Sequence, residues 1–339
     1  MVLKLKFIDV SEAFCIGKSP DYKVFDKAFD FEIVEDNPNV VVSFLYGHTH
    51  FDYDCIKIFM NAENGMVNPK YADISLKANS NIPKCAHHFV NVIDSPDFHN
   101  FIKGRASSEI SEYKNSKKTK FCAFMYSNGK AKARNIFCEK LMAYKKVDCL
   151  GLVMRNTEIV TARTSWASNW LEEQSYIYKD YKFNIAFENT SAKGYFTEKI
   201  IQPLLVGSVP IYWGASDIHD YINPECFINV NDFDSFDDCI EYVKKVDGDP
   251  ELYQKYRDAV PILPGSKIHD VSEDKLALWM KDALADVMKS KTRVGKIGCI
   301  GKLKYRIWLF LAIKIRREKQ KYLHNVKMPI LEKMKWIVK

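Results

Sequence analysis

The sequence predicts an α/β protein of two domains. Three observations carry this. Short apolar, β-branched runs recur along the chain with helical or loop segments between them, as in NVVVSFL at 39–45 and FCAFMY at 121–126. A polar stretch at 105–120, with the basic cluster KNSKKTK, separates two such series and marks a boundary. Between 183 and 214 a buried-strand pattern, a polar loop, a helix pattern and a second buried strand follow one another. The expected partition is 1–117, 118–288 and a tail at 289–339.

Taken in order, 4–10 reads as the first strand, followed by a loop. Strands are expected at 39–45 and 55–60, with weaker candidates at 74–76 and 89–93. The second domain opens with the strand at 121–126. A helix is expected over 131–144, with Arg134 near its start, and another over 169–181. Strands at 183–187 and 209–213 enclose the central loop and helix. A strand at 226–230 and helices at 236–246 and 270–288 complete the series. Pro203 lies inside the central helix pattern, where it removes a hydrogen bond, so that helix is expected to kink or to begin near Pro203 rather than at Thr197.

With 339 residues, 47% of them apolar, the chain has enough material for a substantial core and is not of disordered type. Nine cysteines are scattered without C-x2-C spacing, which argues against a zinc ribbon or a disulfide framework and for a reducing compartment. The apolar run at the N-terminus is too short for a secretory signal, and no stretch reaches the roughly 20 apolar residues of a membrane span. The net charge of +7 conceals an asymmetry. From Lys289 onward there are 16 Lys/Arg and 2 Asp/Glu, a net of +14, so residues 1–288 carry −7.

The polar loop holds Glu188, Asn189, Tyr195, Thr197, Glu198 and Lys199. A strand end followed by a helix N-terminus is how open α/β sheets place an anionic ligand. Phe187, Glu188, Asn189, Thr190, Tyr195, Thr197, Glu198 and Lys199, followed by Pro210-Ile211-Tyr212-Trp213-Gly214, resemble the donor-binding signature of glycosyltransferase family 10, the α-1,3/1,4-fucosyltransferases. The fixed positions are many, so the signal is specific. The resemblance implies the GT-B architecture, two Rossmann-like domains facing a cleft, here with a basic amphipathic tail. It also implies an inverting transfer of L-fucose from GDP-fucose to the 3-hydroxyl, less often the 4-hydroxyl, of N-acetylglucosamine in a glycan such as N-acetyllactosamine. No cofactor or metal would be required, a divalent metal at most stimulating the reaction. A transferase of the same architecture using another nucleotide sugar, and a non-catalytic glycan- or membrane-binding protein, are the alternatives.

Such a transfer needs a base for the acceptor hydroxyl, charge stabilisation for the leaving diphosphate, and a donor held in line. Lys199, just inside the helix start, suits the diphosphate; read alone it is a solvated lysine. Arg134 stands in SNGKAKARNIF, and the resemblance gives it a grip on the diphosphate that a guanidinium fits; read alone it is a surface arginine. Glu198 is expected on the ribose hydroxyls, or as a first-turn carboxylate that needs no ligand. Tyr195 either packs on the donor or is structural. Glu188 and Asn189 either hold the loop or contact the sugar. Glu63, in NAENG after the strand at 55–60, is the expected general base, although Ala62 replaces the family's glycine. Read alone it is a loop glutamate.

Two D-x-D triplets, Asp52-Tyr53-Asp54 and Asp247-Gly248-Asp249, lie outside the matching region and are not expected to bind metal. His48, His50, His87 and His88 lack a third ligand at matching spacing and are expected to be structural or solvated. In the tail, Ile307, Trp308, Phe310, Leu311 and Ile315 share one helical face flanked by Lys304, Lys314, Arg316 and Arg317. That pattern suits an anionic membrane surface. Nucleic acid is disfavoured, and docking on the acidic body remains open. The expected location is the cytoplasmic side of an inner membrane, bound peripherally.

Overall fold

A computed structural model describes residues 2–10, 20–44, 47–61, 70–77, 85–87, 112, 114–157, 176–271, 273–290 and 293–322. Two compact units emerge, one of residues 1–94 and 269–318, the other of 95–268 and 319–339.

In the first unit, β1 (Leu3–Ile8), α1 (Pro20–Ala28), β2 (Phe31–Ile33), β3 (Val40–Ser43), β4 (Ile56–Asn61), β5 (Ile74–Lys77) and β6 (Cys85–His87) follow in sequence. The six strands form one parallel sheet in the order β2-β1-β3-β4-β5-β6. Val40, Val42, Ile56, Ile58 and Ile74 are buried in its core. Runs buried on both faces are what a parallel sheet requires.

In the second unit, β7 (Lys120–Phe124), α2 (Lys132–Met142), β8 (Val147–Cys149), β9 (Tyr181–Phe187), α3 (Glu198–Leu205), β10 (Val209–Trp213), β11 (Ile228–Asn229), α4 (Phe236–Gly248) and α5 (Pro250–Asp258) are arranged around a second parallel sheet, ordered β8-β7-β9-β10-β11. Its core joins Phe124, Phe137, Phe183, Ile185, Phe187, Ile211 and Phe236. Phe137 lies 5.0 Å from Phe187 and 5.3 Å from Phe236, centroid to centroid, which pins α2 and α4 to β9. Burying each such ring contributes about 1.5–3 kcal/mol.

Two helices follow, α6 (Glu273–Lys289) and α7 (Cys299–Tyr322). The expected partition placed 270–288 in the second domain. Instead α6 packs on α1, and its Leu276, Met280, Leu284 and Val287 join the core of the first unit. The chain therefore returns to its first unit, because α6 has an apolar face that complements the one α1 leaves on the N-terminal sheet. The segment between α6 and α7 is stitched down as well. Val294 N donates to Asp73 Oδ1, and the buried Lys57 ammonium donates to the carbonyls of Tyr53, Cys55 and Val294.

Helix α7 lies within the tail expected at 289–339. Tyr305 packs on Phe51 and Tyr71, Lys302 pairs with Asp52, and Arg306 donates to His48. Ile300, Leu303, Ile307, Phe310 and Leu311 of the same helix stay exposed. Among the described residues no helix is long and apolar enough to cross a membrane.

Other boundaries moved by one to three residues. The expected strand at 226–230 shrinks to β11, with a 3-10 turn on either side. The expected strand at 89–93 lies outside the described residues, as does most of the helix expected over 169–181. The end of that helix overlaps β9, which begins at Tyr181.

Candidate active site

In the second sheet the chain order reverses between β7 and β9, which are direct neighbours. One connection leaves β7 toward β8 and the other leaves β9 toward β10. At such a switch point the loops beyond the strand ends part, and ligands of open α/β sheets bind there. Arg134 comes from α2, after β7. Glu188, Asn189, Tyr195, Glu198 and Lys199 come from the segment after β9. The fold thus brings five of the six candidate residues, with Glu188, to one sheet edge. Glu63 lies outside the described residues, two positions beyond the end of β4.

Arg134 is buried, at 1% exposure, in the first turn of α2. Its guanidinium lies 3.9 Å above the Tyr126 ring and donates to Asn189 Oδ1 at 2.9 Å and to the Asn128 carbonyl. Among the described residues its Nε has no hydrogen-bond partner. Burial holds the guanidinium pKa below its ordinary value, while nearby Tyr126, Glu188 and Tyr195 pull it back up. Tyr126 is itself fixed across the switch point. Its hydroxyl donates to the Ile185 carbonyl at 2.7 Å and accepts from Phe187 N at 2.8 Å. So the segment after β7 presents a ring and the segment after β9 an amide oxygen, and the arginine contacts both.

The second cluster is built on α3. Thr197 is its N-cap, in extended backbone (φ −134°, ψ −168°), and accepts from Lys199 N. The helix therefore starts at Glu198, not near Pro203. Pro203 is the sixth helical residue, where it leaves the Lys199 carbonyl without an intrahelical donor. The helix closes one turn later. Ser208 N donates to the Pro203 carbonyl at 2.9 Å and Gly207 N to Leu204 at 3.3 Å, with Gly207 at φ +69°. This is the Schellman arrangement, which favours a glycine at that position.

Lys199 sits on the second turn-position of α3 with its ammonium enclosed. It donates to Thr197 Oγ1 at 2.9 Å and Glu198 Oε1 at 3.1 Å, with Glu188 Oε2 at 3.5 Å. Burial alone would lower its pKa, but Glu198 and Glu188 outweigh it and hold the ammonium firmly protonated. Burial likewise pushes Glu198 up, and the charge and hydrogen bond of Lys199 overcome that, leaving its pKa below the ordinary value. Tyr195 is buried at 1% exposure, close enough for its phenol to act electrostatically on both Arg134 and Lys199. The loop before it is held by Gly194 N donating to Asp217 Oδ1 at 2.7 Å.

Glu188 holds the loop. Its carboxylate accepts from Thr197 N at 2.8 Å and from Thr197 Oγ1 at 2.9–3.0 Å, and its side chain is fully buried. Gly214 faces it: a Cβ there would lie 2.5 Å from Glu188 Cγ and 2.3 Å from the Tyr212 hydroxyl. The glycine that ends the PIYWG run is thus required by close approach.

Sequence reasoning gave no role to Tyr126, Asn128, Thr197 or Asp217. Thr197 was the legible one, since a threonine before a helix pattern is a capping signal. Nothing local distinguishes Tyr126, whose role depends on the strand beside it.

Three of the four D-x-D carboxylates are engaged elsewhere. Asp247 is nearly buried between Lys145 and Lys182 and bonds Tyr144; Asp249 caps α5 through Leu252 N. Asp52 pairs with Lys302. His50 donates from Nδ1 to Asp9 Oδ2 at 3.1 Å, a buried pair at the carboxyl end of β1. His88 lies outside the described residues.

Two family profiles match the chain. "Alpha-(1,3)-fucosyltransferase FucT N-terminal domain" covers residues 5–89, and "Glycosyltransferase family 10 (fucosyltransferase) C-term" covers 115–264, the part that carries the site. The chain is 31% identical over 244 residues to the alpha-(1,3)-fucosyltransferase FucT of Helicobacter pylori, covering 71% of this chain and 45% of that protein. It is 33% identical over 124 residues to the GDP-fucose protein O-fucosyltransferase 3 of Homo sapiens, covering 36% and 26%. The chain spans less than half the length of these curated relatives. A crystal structure of an alpha1,3-fucosyltransferase superposes with a TM-score of 0.69 at 21% identity, over 86% of this chain and 92% of that one. Its complex with GDP-fucose gives 0.67, over 87% and 92%. The fold, two parallel-sheet units of GT-B type, is therefore shared. With both domain profiles matched in their proper order, and the signature from Phe187 to Gly214 closed around one buried carboxylate, the chain belongs to glycosyltransferase family 10.

Proposed function

We propose that the protein is an inverting fucosyltransferase. It moves L-fucose from GDP-fucose to the 3-hydroxyl, less often the 4-hydroxyl, of N-acetylglucosamine in a glycan such as N-acetyllactosamine. The observation that carries the reading is the pair of cationic clusters at one switch point, Arg134 with Asn189 and Lys199 with Glu198. In this scheme the acceptor oxygen attacks the fucose anomeric carbon and its proton passes to the Glu63 carboxylate. The bond from that carbon to the β-phosphate oxygen breaks, the electron pair leaves with GDP, and the configuration inverts. Arg134 and Lys199 stabilise the growing charge. Lys199 is pre-bonded to carboxylates, so the donor must replace part of that network. Glu198 is positioned to exchange its hold on Lys199 for the ribose hydroxyls, and Tyr195 packs beneath the donor. Protein cations serve the leaving group, so the reading requires no metal.

The test is GDP release from GDP-fucose with N-acetyllactosamine, with EDTA and with added Mg2+ or Mn2+, for wild type and Glu63→Gln. Metal-independent turnover that collapses in the variant is expected. Turnover with a different nucleotide sugar would replace the donor, transfer to a serine or threonine peptide would replace the acceptor, and strict metal dependence would defeat the cationic scheme.

A second reading concerns location. The exposed residues Ile300, Leu303, Ile307, Phe310 and Leu311 share α7 with Lys304 and Lys314, which are exposed too. We assign this helix to an anionic bilayer surface, on the cytoplasmic side of an inner membrane, rather than to nucleic acid. Co-flotation with phosphatidylglycerol vesicles but not phosphatidylcholine vesicles is expected. Equal behaviour with both, or flotation unaffected by Phe310→Ser with Ile307→Ser, would refute it.

A further inference from the structure

The signature residues of the second unit converge on Glu188. Thr197 N and Oγ1 donate to it, Lys199 stands 3.5 Å away, and Gly214 leaves room for its Cγ. Its backbone N donates to the Trp213 carbonyl at 2.8 Å, so the carboxyl is fixed at the very end of the β9–β10 ladder. The side chain has no solvent exposure. It therefore does not touch a donor; it acts through Thr197 and Lys199.

The charges around it are set by every element nearby. Lys199 and Glu198 come from α3, Arg134 from α2, Tyr195 from the loop, Tyr126 from the end of β7 and Tyr212 from β10. The tyrosines with shifts resolved, Tyr126 and Tyr212, are held neutral by burial. Within the contact cluster, two ionised glutamates and one ammonium leave a net charge of −1. A diphosphate engaging Lys199 adds negative charge to the same ammonium.

Resting on the donor assignment above, we infer that Glu188 is a positioning residue whose carboxyl takes up a proton when a nucleoside diphosphate sugar binds against Lys199. Protonated, the carboxyl donates to Thr197 Oγ1, whose own proton is then released from Glu188 and turns outward. Lys199 loses one competing anion and is freed for the phosphate. The proton comes from solvent and returns there when GDP leaves. Burial, offset in part by Lys199, already places the Glu188 pKa at about 7 without ligand, so the added charge acts on a group ready to change state.

Two measurements test this on the full chain. Carbon-13 NMR of carboxyl-labelled glutamate in the ligand-free protein should show one carboxyl titrating between pH 6 and 8, absent in Glu188→Gln. Calorimetry of GDP-fucose binding at pH 7.5, in buffers of different ionisation enthalpy, should show net proton uptake that the variant lacks. GDP-fucose is used because its diphosphate does not titrate in this range. Wild-type affinity should fall about tenfold between pH 6.5 and 8.5, whereas that of the variant stays flat. If the variant does not fold, the wild-type titration and proton uptake decide. Buffer-independent heats, or no glutamate titrating above pH 6, overturn the inference while leaving any observed fucosyl transfer intact. Absence of GDP-fucose binding overturns both this and the donor assignment.

Discussion

The two sheets share a strand order. Each runs second, first, third, fourth, fifth, the first sheet adding a sixth, and each has its reversal at the first and third strands. Yet their carboxyl edges differ. At the first sheet, the Asp9 carboxylate accepts from Thr49 N and His50 Nδ1 at 3.0 and 3.1 Å and fixes a turn. At the second, Arg134 and Lys199 gather two carboxylates, Glu188 and Glu198, and two tyrosines, Tyr126 and Tyr195. Two lysines show the same contrast. Lys57, in the first unit, gives its protons to three backbone carbonyls, and burial lowers its pKa. Lys199 gives its protons to a hydroxyl and carboxylates, and its pKa rises. A lysine bonded to carbonyls closes a structure. One bonded to exchangeable carboxylates can trade them for phosphate. Topology supplies the site twice, and side chains decide which edge is electrostatically ready.

Lys199→Ala should break the contrast most severely. Removing one charge-stabilising donor lowers kcat by about 10²–10³-fold, measured as GDP release with circular dichroism confirming the fold. The matching change in the first unit, Lys57→Met, should act on stability instead. It leaves carbonyls of Tyr53, Cys55 and Val294 without their donor, a loss of about 2–3 kcal/mol in urea denaturation. Should Lys57→Met abolish turnover without loss of stability, the distinction between the two lysines fails.

Gly214→Ala sits between these. A Cβ within 2.5 Å of Glu188 Cγ and the Tyr212 hydroxyl forces both to move. A destabilisation of about 1–3 kcal/mol is expected, with GDP-fucose affinity reduced as Glu188 shifts away from Thr197. A variant of unchanged melting temperature and affinity would contradict the close approach.

Glu188 also predicts a pH dependence of folding. Its folded pKa, about 7, lies above the ordinary glutamate value, so the folded state binds more protons than the unfolded state between roughly pH 4.5 and 7. Its stabilisation is complete below that window and is lost as pH rises through 7. Wild type should therefore lose stability, relative to Glu188→Gln, from pH 5 to 7.5, by an amount on the order of 2 kcal/mol. Parallel curves for the two proteins would reject the shifted carboxyl. The smallest effect belongs to the exposed Lys140–Asp237 pair linking α2 and α4, where Lys140→Ala should change stability by about 0–1 kcal/mol and activity not at all.

Much of the second unit was legible in the sequence. The strand at 209–213 was read with its observed ends, because a buried apolar run bounded by a glycine on either side has clear limits. Asn189, Tyr195, Glu198 and Lys199 were named together because a dense signature fixed their spacing, and Arg134 was named from the separate segment SNGKAKARNIF. Short elements were missed. The strand Val147–Cys149 has three residues and the helix Pro250–Asp258 is mostly polar, so neither leaves an apolar period to detect. Pro203 misdirected the reading of α3, because its missing donor was weighed without the Thr197 cap and the Schellman closure that hold the helix on either side of it.

By itself the sequence determined which residues are candidates for the site, the parallel α/β class and the charge division between body and tail. These are local or additive properties, carried by spacing, period and count. Only the tertiary structure decided that Tyr126 supports Arg134 across two strands, that Glu188 is buried beneath Lys199, and that α6 belongs to the first unit. Each depends on which distant segments are brought together, and burial then changes the energy of a charge far more than its neighbours in sequence do.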